Sequence, residues 1–389
     1  MRKARGIVIA ACLAAAPGAL AGPDDDVALA ARAEAMADRE LRSQEQGRAA
    51  PRLFGGIQTW YVVDWRNDAP DDEDNVTHGF AMRRVKLGVE KDFGDLRYRV
   101  NGWFSRATDD FFLEDAWAGV QAGDFLIRAG QFKVPFVYEE NVLWHDQLAA
   151  ERSYTAEFFR QGYSQGVEFQ YDPQHDFRAK FAATDGFRTQ NSDFDARGEA
   201  DFAFTGRLDW MLRGDWSTAD DFTSEFGGPE ALRIGVSGHH QVAGRTGGRT
   251  DRTDVWAGTI DAQWERNGLS VFGAFILVQA DAKDAGFDLV DLGLVGQVGY
   301  RYDRRNEIFG RIDTIIGDDR PRTPSEDQII VTAGYNHYFD GASARFTADA
   351  LYFATETGNT LVAGSTRQGF LRDEGAPQIV LRLTVQFLF

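Results

Sequence analysis

The sequence has almost no cysteine, no long hydrophobic run and no excess of basic residues. Cys12 is its single cysteine among 389 residues, so disulfide bonds do not stabilise this fold. Beyond the N-terminus no stretch approaches the ~18 consecutive apolar residues of a transmembrane helix. The formal net charge is −18, which opposes binding to nucleic acid, and no nucleic-acid partner is expected.

Signals for an enzyme, a metal or a cofactor are also lacking. The six histidines are scattered, and His239 and His240 have neither a cysteine nor an HExxH context. Ser153, His145 and Asp146 lie in one segment, but nothing indicates the preorganised base and oxyanion donors that a triad needs. The acidic segment "DAPDDEDN" at 68–75 matches no calcium-loop spacing and is interpreted as a solvated loop. We therefore expect no catalytic residues, no metal and no cofactor.

The N-terminus predicts export. Arg2, Lys3 and Arg5 precede an apolar run, and Ala19-Leu20-Ala21 has the small-x-small pattern of a cleavage site. Residues 1–21 are therefore predicted to be a signal peptide, with a mature chain that begins at Gly22. The alternative is lipid attachment at Cys12, which would leave a very short apolar core. Removing the three basic residues changes the net charge from −18 to −21.

Residues 22–50 predict a short helical segment on the periplasmic side. Three aspartates at 24–26 provide helix caps, and "VALAARAEAMADRELRSQEQ" is rich in helix formers. Leu29 and Met36 are seven residues apart, so a coiled coil is the alternative, although the heptad pattern does not continue.

From residue 52 onward the hydrophobic pattern has period two. The segment "PQIVLRLTVQFLF" at 377–389 is the clearest case. Its apolar positions predict one lipid-facing side, formed by Ile379, Leu381, Leu383, Val385, Phe387 and Phe389. The positions between them predict a lumenal side, formed by Gln378, Arg382, Thr384 and Gln386.

About sixteen such strands follow one another. They are predicted at 53–65, 79–92, 95–106, 111–122, 125–134, 162–171, 176–185, 199–211, 230–241, 253–265, 268–280, 292–302, 305–316, 327–339, 343–354 and 377–389. Many have the ~9–11 residues of a tilted transmembrane strand. Short turns alternate with long connections, which is typical of an outer-membrane barrel and not of a soluble sandwich. The short connection 107–110 and the long one at 212–229 break the alternation, and the second leaves the strand count open by two. The fold class is therefore all-β: a closed antiparallel transmembrane barrel over 51–389.

Specific motifs support a family resemblance. They are "FAMRRVKLGVEKDFGDLRYRVNGWF" at 80–104, "LEDAWAGVQAGDFLIRAGQFKVPF" at 113–136, "ERSY" at 151–154 and "QGVEFQYD" at 165–172. They resemble the phosphate-selective porin O and P family. The resemblance implies a sixteen-stranded, trimeric outer-membrane channel with a loop folded into the pore. It also implies that the aromatic C-terminal strand serves as an assembly signal. The acidic composition departs from the family's dense ladder of lumenal cations.

Alternation assigns candidate pore residues. Outward-facing apolar neighbours on the same strands predict that basic side chains line the lumen. They are Arg84, Lys86, Arg97, Arg99, Arg178, Lys180, Arg207 and Arg382, with Arg311 and Arg345 following the same logic. The same alternation places Glu90, Asn101, Glu168, Asp209, Asp261, Asp313 and Asp349 inside. Either these cations guide anions, or they form ion pairs that brace the wall. Arg128, Gln131 and Lys133 do not share one face, and a bend near Gly130 is expected to separate them.

The long connection 135–161 is the candidate constriction. It combines helix formers and aromatic side chains with several charges, namely Glu139, Glu140, Asp146, Glu151, Arg152, Glu157 and Arg160. Folded inward, its acids would oppose the basic wall and create a transverse field. The alternative is a surface loop outside the pore.

The sequence thus predicts an outer-membrane porin for passive diffusion of small hydrophilic solutes, such as phosphate and other anions. Its partners would be those solutes, outer-membrane lipid and two further copies in a homotrimer. Three alternatives remain: a barrel channel for sugars, organic acids or cations; a structural or adhesive barrel; and a secreted soluble β-protein.

Overall fold

The computed structural model describes residues 50–389 except 71–72, 106–109, 174, 195, 197–198, 244–252, 283–286, 319–326, 359–360 and 363. The chain divides into two units, Met1–Ala50 and Pro51–Phe389. The predicted signal peptide (1–21) and, apart from Ala50, the predicted helical segment (22–50) lie outside the described residues.

Sixteen antiparallel strands form one closed barrel, which confirms the predicted fold class. Their bounds are β1 Arg52–Trp65, β2 Val76–Phe93, β3 Leu96–Phe104, β4 Phe111–Ala122, β5 Phe125–Lys133, β6 Tyr163–Tyr171, β7 Phe177–Thr184, β8 Ala200–Arg213, β9 Ala231–Ala243, β10 Thr253–Arg266, β11 Leu269–Ala282, β12 Phe287–Arg301, β13 Asn306–Ile316, β14 Gln328–Asp340, β15 Ala344–Phe353 and β16 Gln378–Leu388. Only two start far from their predicted positions: β2 begins at 76 instead of 79, and β12 at 287 instead of 292.

The first and last strands close the barrel. β1 pairs with β16 from Gly56 opposite Leu388 to Trp65 opposite Ile379. Beyond the strand, the Phe389 N–H donates to the Gly55 carbonyl at 3.1 Å and the Gly55 N–H donates back at 2.9 Å. Closure pairs the backbone groups that an open sheet edge would expose to hydrocarbon. Within the described residues, no helix has both the length and the apolar character needed to span a membrane.

The two faces alternate as predicted. On β8, Phe204 and Leu208 are exposed outside while Arg207 and Asp209 are buried inside. On β16, Ile379 and Phe387 are exposed, whereas Arg382 is buried between them on the other face. The apolar exterior suits lipid, where a charged side chain at the midplane costs ~2–4 kcal/mol.

The short connections on one rim are tight turns. Between β2 and β3 only Gly94 and Asp95 separate the paired residues Phe93 and Leu96, and Gly94 has φ +70°. Asn267 and Gly268, with φ +48° and +87°, connect β10 to β11 in the same way. Two-residue turns of this kind need positive φ, which glycine and asparagine tolerate.

Two long connections fold into the barrel. The first, residues 134–162, carries helices α1 (Tyr138–Asn141) and α2 (Tyr154–Phe159) and is called the constriction loop below. The second, residues 214–230, is called the inner turn and carries a 3₁₀ turn at Trp216–Thr218. β8 and β9 are paired neighbours on either side of it, so sixteen strands is correct and the turn is long because it enters the lumen.

Candidate functional site

Wall side chains hold the constriction loop by its backbone. Arg345 donates to the Gln147 carbonyl at 2.9 Å, and Arg311 donates to the Glu151 carbonyl at 3.0 Å. Further donors to its carbonyls are Arg207 and Ser237 (both to Phe136) and Asn336 (to Leu148). The loop therefore lies inside the barrel, against the inner face of β8, β9, β13, β14 and β15. This inward position agrees with the prediction.

Wall carboxylates accept from the same loop. Asp349 accepts from the Ala150 N–H at 3.0 Å, and Asp313 accepts from the Thr155 N–H at 3.1 Å. Within the loop, Glu139 accepts from both the N–H and the hydroxyl of Ser153, at 2.5 and 2.6 Å. Because Glu139 is buried and bonded in this way, its carboxylate fixes the loop and does not face the pore.

On the opposite side, Glu151 joins the loop to two arginines of β2. Its carboxylate lies 2.8 Å from Arg83 and 2.5 Å from Arg84. Burial raises the pKa of Glu151, but the two guanidinium groups outweigh it and lower the pKa to about 2. The carboxylate therefore stays ionised and is paired with the wall directly, whereas the sequence predicted that it would oppose the basic wall across the pore.

A β-bulge brings both arginines inside. The register of β1 and β2 shifts so that Gln58 faces Arg84 while Thr59 faces Met82, leaving Arg83 as the extra residue. Met82 on one side of the bulge and Leu87 on the other are exposed outside. Strict alternation therefore missed Arg83. Two adjacent arginines in a strand were the signal, because one of them would otherwise face lipid.

The same device brings two acids inside on β4. A register shift between Val100 and Gly102 leaves Glu114 and Asp115 together opposite Asn101. Lys86 contacts Glu114 at 2.7 Å, and Arg99 lies 3.7 Å from Asp115. Strict alternation also missed these acids, although the tandem "ED" in an alternating strand carries the same signal as the tandem arginines.

The expectation for β5 was wrong in one respect. Gly130, with φ +127°, interrupts the alternation, and it brings Arg128, Gln131 and Lys133 to the same interior. Arg128 contacts Glu168 at 2.9 Å, Gln131 donates to the Glu114 carbonyl at 3.0 Å, and Lys133 donates to the Glu140 carbonyl at 2.8 Å. A side chain at Gly130 would stand 2.2 Å from the Ala116 carbonyl, so glycine is needed there.

Between β1–β6 and the constriction loop lies a cavity of about 620 Å³, called the constriction cavity below. Among the described residues, ten basic side chains line it: Arg52, Arg83, Arg84, Lys86, Arg99, Arg128, Lys133, Arg152, Arg160 and Arg367. Four acids do so as well: Glu114, Asp115, Glu140 and Glu157. Ten against four leaves a formal excess of six positive charges. Glu90, Glu151 and Glu168 do not line the cavity, but they form ion pairs with basic residues that do. Counting these three acids reduces the excess to three.

The cavity gathers only part of the predicted set. Arg84, Lys86, Arg99, Glu140, Arg152 and Arg160 line it, whereas Arg97, Arg178, Lys180, Arg207, Arg382, Glu139, Asp146 and Glu151 do not. Arg207 is buried against Asp209 and Asp261, and Arg382 is buried against Asp349 at 2.6 Å. Arg178 pairs with Asp172 at 2.9 Å, and Arg97 lies 3.5 Å from Asp92. Lys180 of β7 lies opposite Arg207 of the adjacent strand β8.

The inner turn supports the loop from the other rim. Phe222 is buried and packs against Tyr138, with ring centroids 5.9 Å apart, and its N–H donates to the Asp146 carbonyl at 3.3 Å. Burial raises the pKa of Tyr138 to about 12, so its hydroxyl stays protonated and donates to the Ala219 carbonyl at 2.6 Å. Loop and turn thus brace each other inside the lumen.

Within the described part of the chain, no group of three histidine, cysteine or acidic side chains is placed to hold a metal ion. His145 contacts Asp146 at 3.0 Å, while the Ser153 hydroxyl donates to Glu139. These three residues therefore do not form a nucleophile–base–acid chain.

The family model "Phosphate-selective porin O and P" matches residues 58–352, which is most of the chain. The chain belongs to this family. No curated protein matches the sequence.

Solved structures share the fold of this porin. An anion-selective porin from Comamonas acidovorans is 14% identical, with a TM-score of 0.60 and coverage of 87% of this chain and 99% of that one. OmpT of Vibrio cholerae in its trimer form is 12% identical, with a TM-score of 0.57 and coverage of 87% and 99%. The channel DcaP of Acinetobacter baumannii is 10% identical, with a TM-score of 0.56 and coverage of 87% and 97%. Family and fold are those of outer-membrane channels, not of enzymes.

Proposed function

We propose that the chain is a passive outer-membrane channel that favours anions, phosphate among them. The observation that carries this proposal is the charge of the constriction cavity: ten basic and four acidic side chains among the described residues line it. A solute in this cavity is separated from these charges by little water. Their effect on the solute therefore outweighs that of the remote acidic surface.

Lys133 is the sharpest place to test the proposal. Its ammonium donates to the Glu140 carbonyl and has no carboxylate partner among the described residues. Lys91 is the matched control, because it lies over Phe93 near the β2–β3 turn and does not line the cavity. Both lysines lose one positive charge when replaced by methionine.

The experiment is a single-channel recording in a planar bilayer under a salt gradient, followed by titration with phosphate. We expect a reversal potential of the sign that indicates anion preference, and partial block by phosphate. Lys133→Met should reduce the preference, and Lys91→Met should not. Cation preference would contradict the proposal and favour the cation-channel alternative. No current at all would favour a structural or adhesive barrel.

We also propose a homotrimer, supported by the trimer form described for OmpT of the same fold. Chemical crosslinking in native outer membranes should give a ladder that ends at three copies, and a ladder that ends at one would contradict it. The signal peptide remains a proposal too. Mass spectrometry of the membrane-inserted protein should find Gly22 at its N-terminus.

A further inference from the structure

Aromatic side chains alternate with the cations of the constriction cavity. Three tryptophans line it, and each ring has a guanidinium group over it. The pairs are Trp103 with Arg367, Trp117 with Arg128 and Trp144 with Arg84, at 5.1, 5.1 and 5.5 Å from the ring centroids. A channel for small inorganic ions needs charge and water, and it gains nothing from indole rings along its wall.

Most cations of the cavity already have a carboxylate partner. Lys86 contacts Glu114 at 2.7 Å, and Arg160 contacts Glu157 at 2.8 Å. Lys133 and Arg367 have no carboxylate partner within the described residues, so their charges are available to bind an anionic solute. A doubly charged inorganic anion would need several unpaired donors around one point. A single carboxylate group needs only one or two.

Size and shape agree with an organic solute. A cavity of about 620 Å³ lies within the range of sites that hold small organic ligands, and it far exceeds one phosphate ion. Aromatic rings prefer offset stacking or edge contacts with other rings. A ring that carries one carboxylate could contact a tryptophan while its carboxylate meets a cation.

We propose that the constriction cavity selects organic anions that carry a flat apolar group, such as aromatic carboxylates, by combining its tryptophan rings with its unpaired cations. This inference rests on the anion channel proposed above. The indole of Trp103 is its central element, because the cation over that ring is Arg367, which has no carboxylate partner among the described residues. Phe112 stacks on the same ring at 5.2 Å, so the solute ring would contact the indole at its edge.

The test compares three probes in the same bilayer recording: benzoate, acetate and inorganic phosphate, each added to a chloride solution at constant ionic strength. Benzoate should reduce the chloride current at a lower concentration than acetate or phosphate. Benzoate and acetate carry the same charge, so a difference between them reports the ring.

Variants then locate the ring contact. Trp103→Leu should weaken benzoate block about three- to tenfold, relative to that variant's own chloride current, and Trp103→Phe should retain most of it. Trp256→Leu is the control, because Trp256 is exposed on the outer face of β10 and stacks on His240 there. Heat-dependent migration on a gel confirms that each variant is folded.

The outcomes separate the two proposals. Equal block by benzoate and acetate in an anion-preferring channel overturns the aromatic selectivity alone. So does a Trp103→Leu variant that behaves like Trp256→Leu. A cation-preferring reversal potential overturns the anion channel and this inference with it.

Discussion

At the scale of single residues, tandem charges mark where strict alternation fails. Arg83 and Arg84 on β2, and Glu114 and Asp115 on β4, are each adjacent in the sequence, yet both members of each pair face the lumen. A bulge accommodates the extra residue, so neither member of either pair faces lipid. The pore therefore receives four charges where period two would supply only two.

Glu151 is the residue on which the anchoring of the constriction loop to β2 depends. Glu151→Gln removes the charge that Arg83 and Arg84 share, and breaking such a buried pair costs about 3–5 kcal/mol. We expect faster hydrogen exchange of the amides at 150–156. The control is Glu157→Gln in the same loop, whose partner Arg160 is half-buried at the cavity. Equal exchange in both variants would contradict the anchoring role.

Protonation of Glu151 should break its ion pairs with Arg83 and Arg84 only far below neutral pH. The pKa of Glu151 is lowered to about 2 from its ordinary 4.5, so its stabilising contribution is complete above pH ~4.5 and is lost as the pH falls towards 2. Protection factors of the amides at 150–156 in the unmodified protein, corrected for the intrinsic pH effect, should therefore be constant from neutral pH to about 5.

Asp221 on the inner turn titrates in the opposite sense. Burial raises its pKa to about 7, with Asp146 and Glu307 adding to the shift and hydrogen bonds from Thr223 opposing it. A raised carboxyl pKa means that the folded state holds the proton longer than the unfolded state. Stability of the turn therefore falls as the pH rises from about 4 to 7.

Protection factors of the amides at 214–230, corrected for the intrinsic pH effect, should be lower at pH 8 than at pH 5. Asp221→Asn should remove that difference, while Glu225→Gln, an exposed acid of the same turn, should keep it. A pH effect that survives in Asp221→Asn would assign the titration to another group.

At the scale of elements, the inner turn is long because it packs inside the lumen. Its phenylalanine Phe222 packs between Tyr138 of the constriction loop and Phe272 of β11, with ring centroids 5.9 and 4.7 Å away. A turn that only joined β8 to β9 would need two to five residues, as elsewhere on that rim. The additional residues enter the lumen and pack against the constriction loop.

Phe222→Ala should loosen that support. Truncating a buried phenylalanine costs about 3–5 kcal/mol, and here the loss falls on the contact between turn and loop. We expect a noisier single-channel current with transient changes in conductance. Phe226→Ala in the same turn is the control, because Phe226 is 51% exposed. Identical traces from the two variants would show that the turn does not hold the loop.

At the scale of the whole molecule, charge is divided between surface and pore. The chain carries a formal −18, while the described lining of the constriction cavity carries an excess of basic groups. Charge that acts across water weakens with salt: the Debye length is about 10 Å at 0.1 M and about 3 Å at 1 M. Selectivity that comes from the lining should follow this screening.

Anion preference should accordingly be strong near 0.1 M salt and weaker near 1 M. Reversal potentials measured at one fixed concentration ratio across this range provide the test. A preference that grows with salt would mean that the acidic surface had masked it at low ionic strength. A preference independent of salt would contradict an origin in the charged lining.

The barrel could be predicted from the sequence alone. Period two, strand length and alternating connection lengths predicted all sixteen strands, because a membrane strand must match the hydrocarbon thickness and present one apolar face. The outward positions of β16 followed from the same constraint. Motifs over 80–172 further indicated the family.

Which charges contact one another depends on the tertiary structure. Arg207 and Arg382 alternate inward as Lys86 does, yet they are buried beneath folded loops while Lys86 lines the cavity. Three features decide which charged side chains line the cavity: the bulges at Arg83 and at Glu114–Asp115, the break at Gly130, and the packing of the constriction loop and the inner turn. Each depends on contacts between residues far apart in the chain. Periodicity sets the side of the wall a residue faces, and it carries no information about what lies in front of it.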